Sequence, residues 1–231
     1  MFSPRMDAIM TVFALDALDL AALLCSRVCH DVISPVGAIV NGLEVLEEEK
    51  DAEMRGFALD LIKKSAETAS ARLQFCRLAF GAAGSAGASI DTGDAEKVAR
   101  GLFADQRTRL DWQAPRLLMP KNQVKLILNL CLIAAGAIPR GGVITVTTRG
   151  ADEQLSVSVT AQGANAKLSS QASDLLAGTP AQAVDAQGIQ AYYTGLVAKA
   201  ANMSLTIEVE SELVAIQAIS ASAPAIIEAV A

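Results

Sequence analysis

From about Asp16 to Glu48, apolar residues return at a fixed interval: Leu18, Cys25, Val32, Ile39 and Leu46 stand seven apart, and Ala21, Val28 and Leu43 widen the stripe. A sustained heptad keeps one helix face turned toward a partner helix. The run Glu47-Glu48-Glu49-Lys50-Asp51 reads as a polar turn, and a second helix follows to about Phe80. It carries Phe57, Leu61, Ala66, Ala69, Leu73 and Cys76 at three-to-five-residue steps. So short a turn makes the two helices antiparallel neighbours. Two helices cannot surround an apolar stripe this wide, so the pattern predicts two copies of the hairpin packed as a four-helix bundle, a homodimer.

Beyond Phe80 the pattern changes. Gly81-Ala-Ala-Gly84-Ser-Ala-Gly87 reads as a flexible linker, because no strand precedes it and no Lys follows, as a phosphate loop would require. The chain divides into an N-terminal arm (1–15), the helical hairpin (16–80), a linker (81–90) and a second domain (91–231). Within the last, 93–106 looks helical, 108–113 looks like a strand, and 121–137 is a strongly apolar helix. Gly141-Gly142 turns into the alternating β-branched run 143–148, and 155–161 is its expected neighbour. Another helix is expected over 188–202, with a closing hairpin of 205–210 and 213–219. The fold class is therefore α+β, with helices layered on one face of a mixed sheet. Leu20, Leu23 and Leu24 exceed what one helical seam needs and are expected to pack on this second domain.

Composition narrows the function. Hydrophobic residues make up 52% of the 231, so a core is assured, and the 19 basic and 25 acidic residues leave a net charge of -6. No long Lys/Arg stripe is present to follow a phosphate backbone, which argues against nucleic acid as a partner. Cys25, Cys29, Cys76 and Cys131 form no C-x-x-C pair, each lies in an apolar helical stretch, and thiols used this way imply a reducing compartment. Cys25, Cys29 and His30 are near in sequence, yet His30 lies well round the helix from both thiols, so no metal is expected there. The start lacks a basic segment leading into an apolar core, and the longest apolar run, 126–138, is too short to span a bilayer. These features read as a cytoplasmic protein without a membrane segment.

The chain has one histidine. With Leu18 and Cys25 at heptad position a, His30 falls at f, farthest from the seam, with Gly37 and Glu44 in its column and Arg27, Ser34 and Asn41 in the neighbouring one. An imidazole thus stands in a polar strip, and Gly37 omits a side chain where another protein would need to approach, at about 1 kcal/mol of helix stability relative to Ala. Pro35 removes one helical hydrogen bond and strains the carbonyl of Asp31, a cost of about 3 kcal/mol one turn past the histidine.

His30-Asp31-Val32-Ile33-Ser34-Pro35 resembles the H-box of histidine kinase dimerisation domains: a His, an acidic neighbour and a Pro five places on. The order of hairpin, linker and α+β domain also resembles a histidine kinase core, which implies that the second domain is a Bergerat/GHKL-like α/β sandwich. The nucleotide motifs of that fold are degenerate. Asn129-Leu130-Cys131-Leu132-Ile133-Ala134 aligns with the Asn-bearing helix, but Ile133 stands where the magnesium-binding Asn belongs, and Ala161 replaces the Asp that reads adenine. Near Gly188-Ile189 the glycine lid is eroded. An Ile cannot ligate a hard cation and an Ala cannot accept the adenine amino proton, so no nucleotide is expected to bind.

Retaining the histidine while losing the nucleotide site resembles the ChpT family of histidine phosphotransferases of alpha-proteobacterial cell-cycle relays, over nearly the whole chain from Asp16. The resemblance implies that phosphate passes from the receiver of a hybrid kinase (CckA-like) through His30 to response regulators (CtrA- and CpdR-like). This chain would supply the nucleophile and a docking surface, with Mg²⁺ brought by the receiver and no cofactor of its own. Asp31 is a candidate for orienting the ring by accepting its other N–H, or is only a solvated carboxylate. Counting back across the turn near residue 50 sets 70–74 beside His30, so Arg72 and Arg27 are candidates for steering the receiver, together with Ser34, Gly37 and Asn41. Two rival readings stay open at this point: a divergent ATP-dependent histidine kinase, and a non-catalytic dimeric scaffold or inhibitor of a two-component pathway.

Overall fold

A computed structural model of the chain describes residues 14–81, 88–104, 107–150, 154–177, 184–185 and 188–221. Two long helices open it, α1 (Ala17–Glu48) and α2 (Ala52–Ala79). Each begins on an aspartate whose carboxylate takes two otherwise unpaired N–H groups: Asp16 accepts from Leu18 and Asp19, and Asp51 from Glu53 and Met54. The turn between them is closed by side chains. Glu49 Oε1 accepts from the N–H groups of Lys50 and Asp51, and the Arg55 guanidinium donates to the carbonyls of Leu46 and Glu49. Those bonds satisfy carbonyls that a helix end leaves without partners.

The face that α1 lays on α2 falls on the heptad stripe: Val32, Ile39 and Leu46 are half-buried, and Pro35 and Gly42 stand at the positions that continue Ala21 and Val28. Pro35 and Gly42 are its buried residues, and α2 answers with Ala58, Ser65, Ala69 and Cys76. A Cβ on Gly42 would meet Ile62 Cγ1 at 2.6 Å, so this glycine sets how closely the helices cross. Ile33, Val36, Val40 and Leu43 on α1 are exposed, as are Phe57, Leu61 and Leu73, which the sequence assigned to the packed stripe of α2. The correction has a simple cause. On α2 small and polar residues form the seam, so Phe57, Leu61 and Leu73 are left outside it, and with Ile33, Val36, Val40 and Leu43 along the edge of the α1 stripe they form surface that no described part of this chain covers.

The second domain starts with β1 (Ser89–Asp91), whose first two residues the sequence placed in the linker; the linker's 82–87, like arm residues 1–13, lie outside the described residues. There follow α3 (Thr92–Phe103), β2 (Thr108–Trp112), β3 (Leu118–Pro120), α4 (Lys121–Ala137), β4 (Gly142–Arg149), β5 (Ser156–Gln162), α5 (Ser170–Ala177), α6 (Ile189–Ala200), β6 (Met203–Glu210) and β7 (Leu213–Ser220). β1 and β3 pair antiparallel as a small ribbon, and the main sheet runs β2-β4-β5-β7-β6, with β2 parallel to β4 and the other pairs antiparallel. Helices cover one face. Ile144, Val146, Val157, Val159, Val214 and Ile216 point into it at every second position and are wholly buried with Leu126, Leu128 and Leu130 of α4. The opposite face carries half-exposed Thr145, Thr147, Ser158, Thr160 and Gln217. This is the α+β class expected, a helical hairpin followed by an α/β sandwich.

The hairpin is docked on that sandwich. Leu15, Leu20, Leu23 and Leu24 pack on the common core, as the surplus leucines suggested, and the Leu15 N–H donates to the Tyr192 hydroxyl of α6 at 3.0 Å. Asn129 of α4, wholly buried, donates to the Ala79 carbonyl at the end of α2 at 3.1 Å. α1 is also long and apolar enough, by length and composition, to cross a bilayer, although polar and charged residues interrupt its apolar ones. Its apolar positions are spread round half the helix and share every turn with the polar column of His30, Ser34, Asn41 and Glu44.

Candidate functional site

His30 stands where the two parts of the molecule face one another. At about 100° per residue, it lies about a third of a turn from the Pro35–Gly42 face and a similar angle from the exposed Val36–Leu43 strip. Its side chain is 86% exposed. The ring forms the rim of a cleft of about 390 Å³ that also brings together Arg27, Asp31 and Ser34 of α1 with Arg72 of α2. Five of the site residues expected from the sequence therefore meet. Gly37 and Asn41 do not line the cleft; they continue the polar column along α1, and a Cβ on Gly37 would have nothing within 4 Å.

Asp31 organises the group. Its Oδ2 accepts from Arg27 Nε at 3.1 Å, one helical turn back, while its Oδ1 faces His30 Nδ1 at 3.7 Å. The second distance exceeds a hydrogen bond, so in the free chain the carboxylate is bonded to Arg27 and stands beside the ring without bonding it. Arg72 donates to the main-chain carbonyl of Asp31 across the hairpin. Both arginines expected to steer a partner are thus engaged with Asp31. Behind them the Cys76 thiol is pushed up to about 11, by burial first and by the nearby Asp31 charge second, and stays neutral. Among the described residues no three His, Cys, Asp or Glu side chains gather as metal ligands, and Cys25 and Cys29 are exposed on α1.

The far wall of the cleft comes from the second domain and was not anticipated: Leu102 and Phe103 end α3, and Leu132, Ala135 and Gly136 lie on α4, with Phe75 and Phe80 at the floor. One signal was present. Gly136 interrupts a run of strong helix formers, and a Cβ there would have nothing within 4 Å, so no packing demand inside the chain explains a glycine that costs about 1 kcal/mol.

Round the α4 helix from this cleft lies a second groove, lined by Ile133, Lys167, Leu168, Ala172 and Gln190. Ile133, which the sequence aligns with a kinase's metal-binding Asn, is buried there, and Ala161 is wholly buried on β5. Gly188 and Ile189, where the glycine lid was expected to be eroded, lead into α6, while neighbouring 186–187 lie outside the described residues.

Comparison with known proteins places this geometry. Residues 92–213 match the family model of the histidine phosphotransferase C-terminal domain. The protein phosphotransferase ChpT of Brucella abortus (strain 2308) is 51% identical over 199 residues, covering 86% of this chain and 94% of that protein. A solved bacterial phosphotransferase superposes with a TM-score of 0.81 at 47% identity, covering 90% of this chain and 98% of the other. The histidine kinase AdeS of Acinetobacter baumannii matches at 9% identity with a TM-score of 0.44, over 83% of this chain and 97% of that one.

Proposed function

The chain belongs to the ChpT family of histidine phosphotransferases, and from that premise we propose that His30 carries a phosphoryl group between receiver domains of a phosphorelay in the cytoplasm. The donor is the phosphorylated receiver of a CckA-like hybrid kinase, and the acceptors are CtrA- and CpdR-like response regulators. The observation that carries this reading is the setting of the only histidine: 86% exposed, at the mouth of a cleft, with a carboxylate beside Nδ1 and two guanidinium groups behind it.

In the reaction, the Nε2 lone pair of the neutral ring attacks the phosphorus of a receiver aspartyl-phosphate. The N–P bond forms as the P–O bond breaks, and the receiver's carboxylate leaves with the electron pair. The ring keeps its Nδ1 proton and becomes cationic, a charge that the Asp31 carboxylate stabilises. Attack by a second receiver's aspartate reverses these events. Charge in the transition state spreads over the equatorial oxygens, so positioning and a cation do most of the work; the receiver brings the Mg²⁺.

The receiver docks on the polar column of α1 (Arg27, His30, Ser34, Gly37 and Asn41) and reaches the α4 wall, where Gly136 leaves room. The apolar side chains of buried Ile133 and Ala161, where a kinase would need an Asn and an Asp, support the expectation that ATP is not a substrate. The uncovered strips on α1 and α2 support a homodimer in which two hairpins form a four-helix bundle.

A two-stage transfer tests the proposal. Labelled phosphate passes from a phosphorylated receiver to the chain and leaves it when an unphosphorylated receiver is added, whereas His30→Ala does neither and γ-labelled ATP alone labels nothing. A His30→Ala chain that accepts label from the receiver overturns it.

A further inference from the structure

The proline inside α1 has a specific consequence beside the histidine. In a helix the carbonyl of residue 31 is bonded by the N–H of residue 35, and residue 35 is Pro, which has none. The freed carbonyl of Asp31 is the one that Arg72 reaches from α2, 41 residues away. That bond ties the two helices at the residue next to His30. Arg27 holds the same residue by its carboxylate, through Oδ2 at 3.1 Å, and this leaves Oδ1 toward His30 Nδ1.

We propose that Pro35, Arg72 and Arg27 form one clamp on Asp31, and that Arg72 is a positioning residue for transfer through His30 rather than a docking charge for the receiver. Pro35 withholds the N–H, so the Asp31 carbonyl recruits Arg72 and the backbone beside the histidine is pinned to α2. Arg27 turns the carboxylate, so that a small rotation of the exposed ring closes the 3.7 Å gap when a receiver docks; catalytic hydrogen bonds left long in a free protein commonly tighten this way. Held there, Asp31 keeps the proton on Nδ1 and the lone pair on Nε2, the outward nitrogen. The inference rests on the phosphoacceptor reading only for its kinetic consequence.

The test is a cycle of Arg72→Ala and Pro35→Ala in the full chain, with three measurements. In thermal unfolding, Arg72→Ala lowers Tm by about 3–6 °C with Pro35 in place, because a part-buried acceptor loses its donor. In the Pro35→Ala chain the restored N–H takes the carbonyl, and Arg72→Ala then changes Tm by less than about 1 °C. With an unphosphorylated receiver docked, the chain's single imidazole gives an unambiguous nitrogen resonance pair: in the neutral ring, Arg72→Ala and Arg27→Ala each shift the balance away from the Nδ1–H tautomer. With a phosphorylated receiver, Arg72→Ala lowers the transfer rate at saturation by about tenfold to a hundredfold and changes the half-saturating receiver concentration less than about twofold.

The first readout needs no receiver and the second is taken with an unphosphorylated receiver docked, so both stand or fall apart from the phosphoacceptor reading. An equal loss of Tm in both backgrounds, an unmoved tautomer balance, or an effect confined to the half-saturating concentration overturns the clamp.

Discussion

The two long helices at the centre of this molecule are built on opposite terms. α4 has 17 residues and buries eleven of them, including Leu126, Leu128 and Leu130 in the core and Asn129 against α2. α1 has 32 residues and buries two, Pro35 and Gly42. The helix that carries the histidine is mostly surface, much of it apolar, and α4 is mostly core. Ile133 and Ala161 lie within that core. The hairpin, by contrast, keeps an outward apolar face that no other described residue covers. One region is packed on most sides, and the other leaves a face open.

That contrast can be broken by substitutions, beginning with the largest effect. Leu130→Ala in α4 opens a cavity in a wholly buried site and should cost about 2–5 kcal/mol in chemical denaturation, whatever the protein concentration. Leu43→Glu on the exposed strip of α1 touches no buried side chain, so its cost should depend on concentration. At micromolar protein it should halve the mass seen by light scattering and lower Tm, and in dilute solution the two chains should unfold alike. A Leu43→Glu chain of unchanged mass would remove the dimer from the picture.

Smaller effects sharpen the contrast. Gly37→Ala adds a methyl where nothing lies within 4 Å, so it should stabilise α1 by about 1 kcal/mol while slowing transfer by crowding the receiver; equal gains in stability and speed would deny Gly37 its docking role. The smallest is acid dependence at the start of α3. The Arg116 guanidinium, with the Gly93 N–H, holds the Asp91 carboxyl below the usual carboxylate range. A carboxyl whose pKa is depressed on folding contributes stability that is full above its ordinary value of about 4 and fades as pH falls through the folded one. The difference in Tm between the parent chain and Arg116→Ala should therefore be present at neutral pH and vanish in strong acid, and it should be slight, because the pair is exposed.

Much of the fold was legible from pattern alone. α4 runs Lys121–Ala137 as its apolar run suggested, and β4, β5, β6 and β7 fall on the alternating segments. The three-residue strands β1 and β3 and the eight-residue α5 were missed, because elements that short have too few positions to show a period. The packed face of α2 was misread for an instructive reason. Ala58, Ser65 and Ala69 are poor in hydrophobicity, yet with Pro35 and Gly42 they are the buried residues where the two helices meet, whereas the conspicuous Phe57, Leu61 and Leu73 lie on exposed surface. At the candidate site, counting residues across the turn brought Arg72 to His30, but spacing could not show that both arginines would be occupied with Asp31. Nor could it bring α4 across the cleft, since that contact depends on how the hairpin docks on the sandwich through Leu20, Leu23 and Leu24.

The most direct measurement is to locate the phosphate itself. After exposure to a phosphorylated receiver, the intact chain should carry one acid-labile, base-stable phosphoryl group, and phosphorus–nitrogen coupling should place it on Nε2 of His30. Phosphate on an aspartate, a cysteine or Nδ1, or none on the chain at all, would contradict the assignment of the exposed imidazole as the carrier.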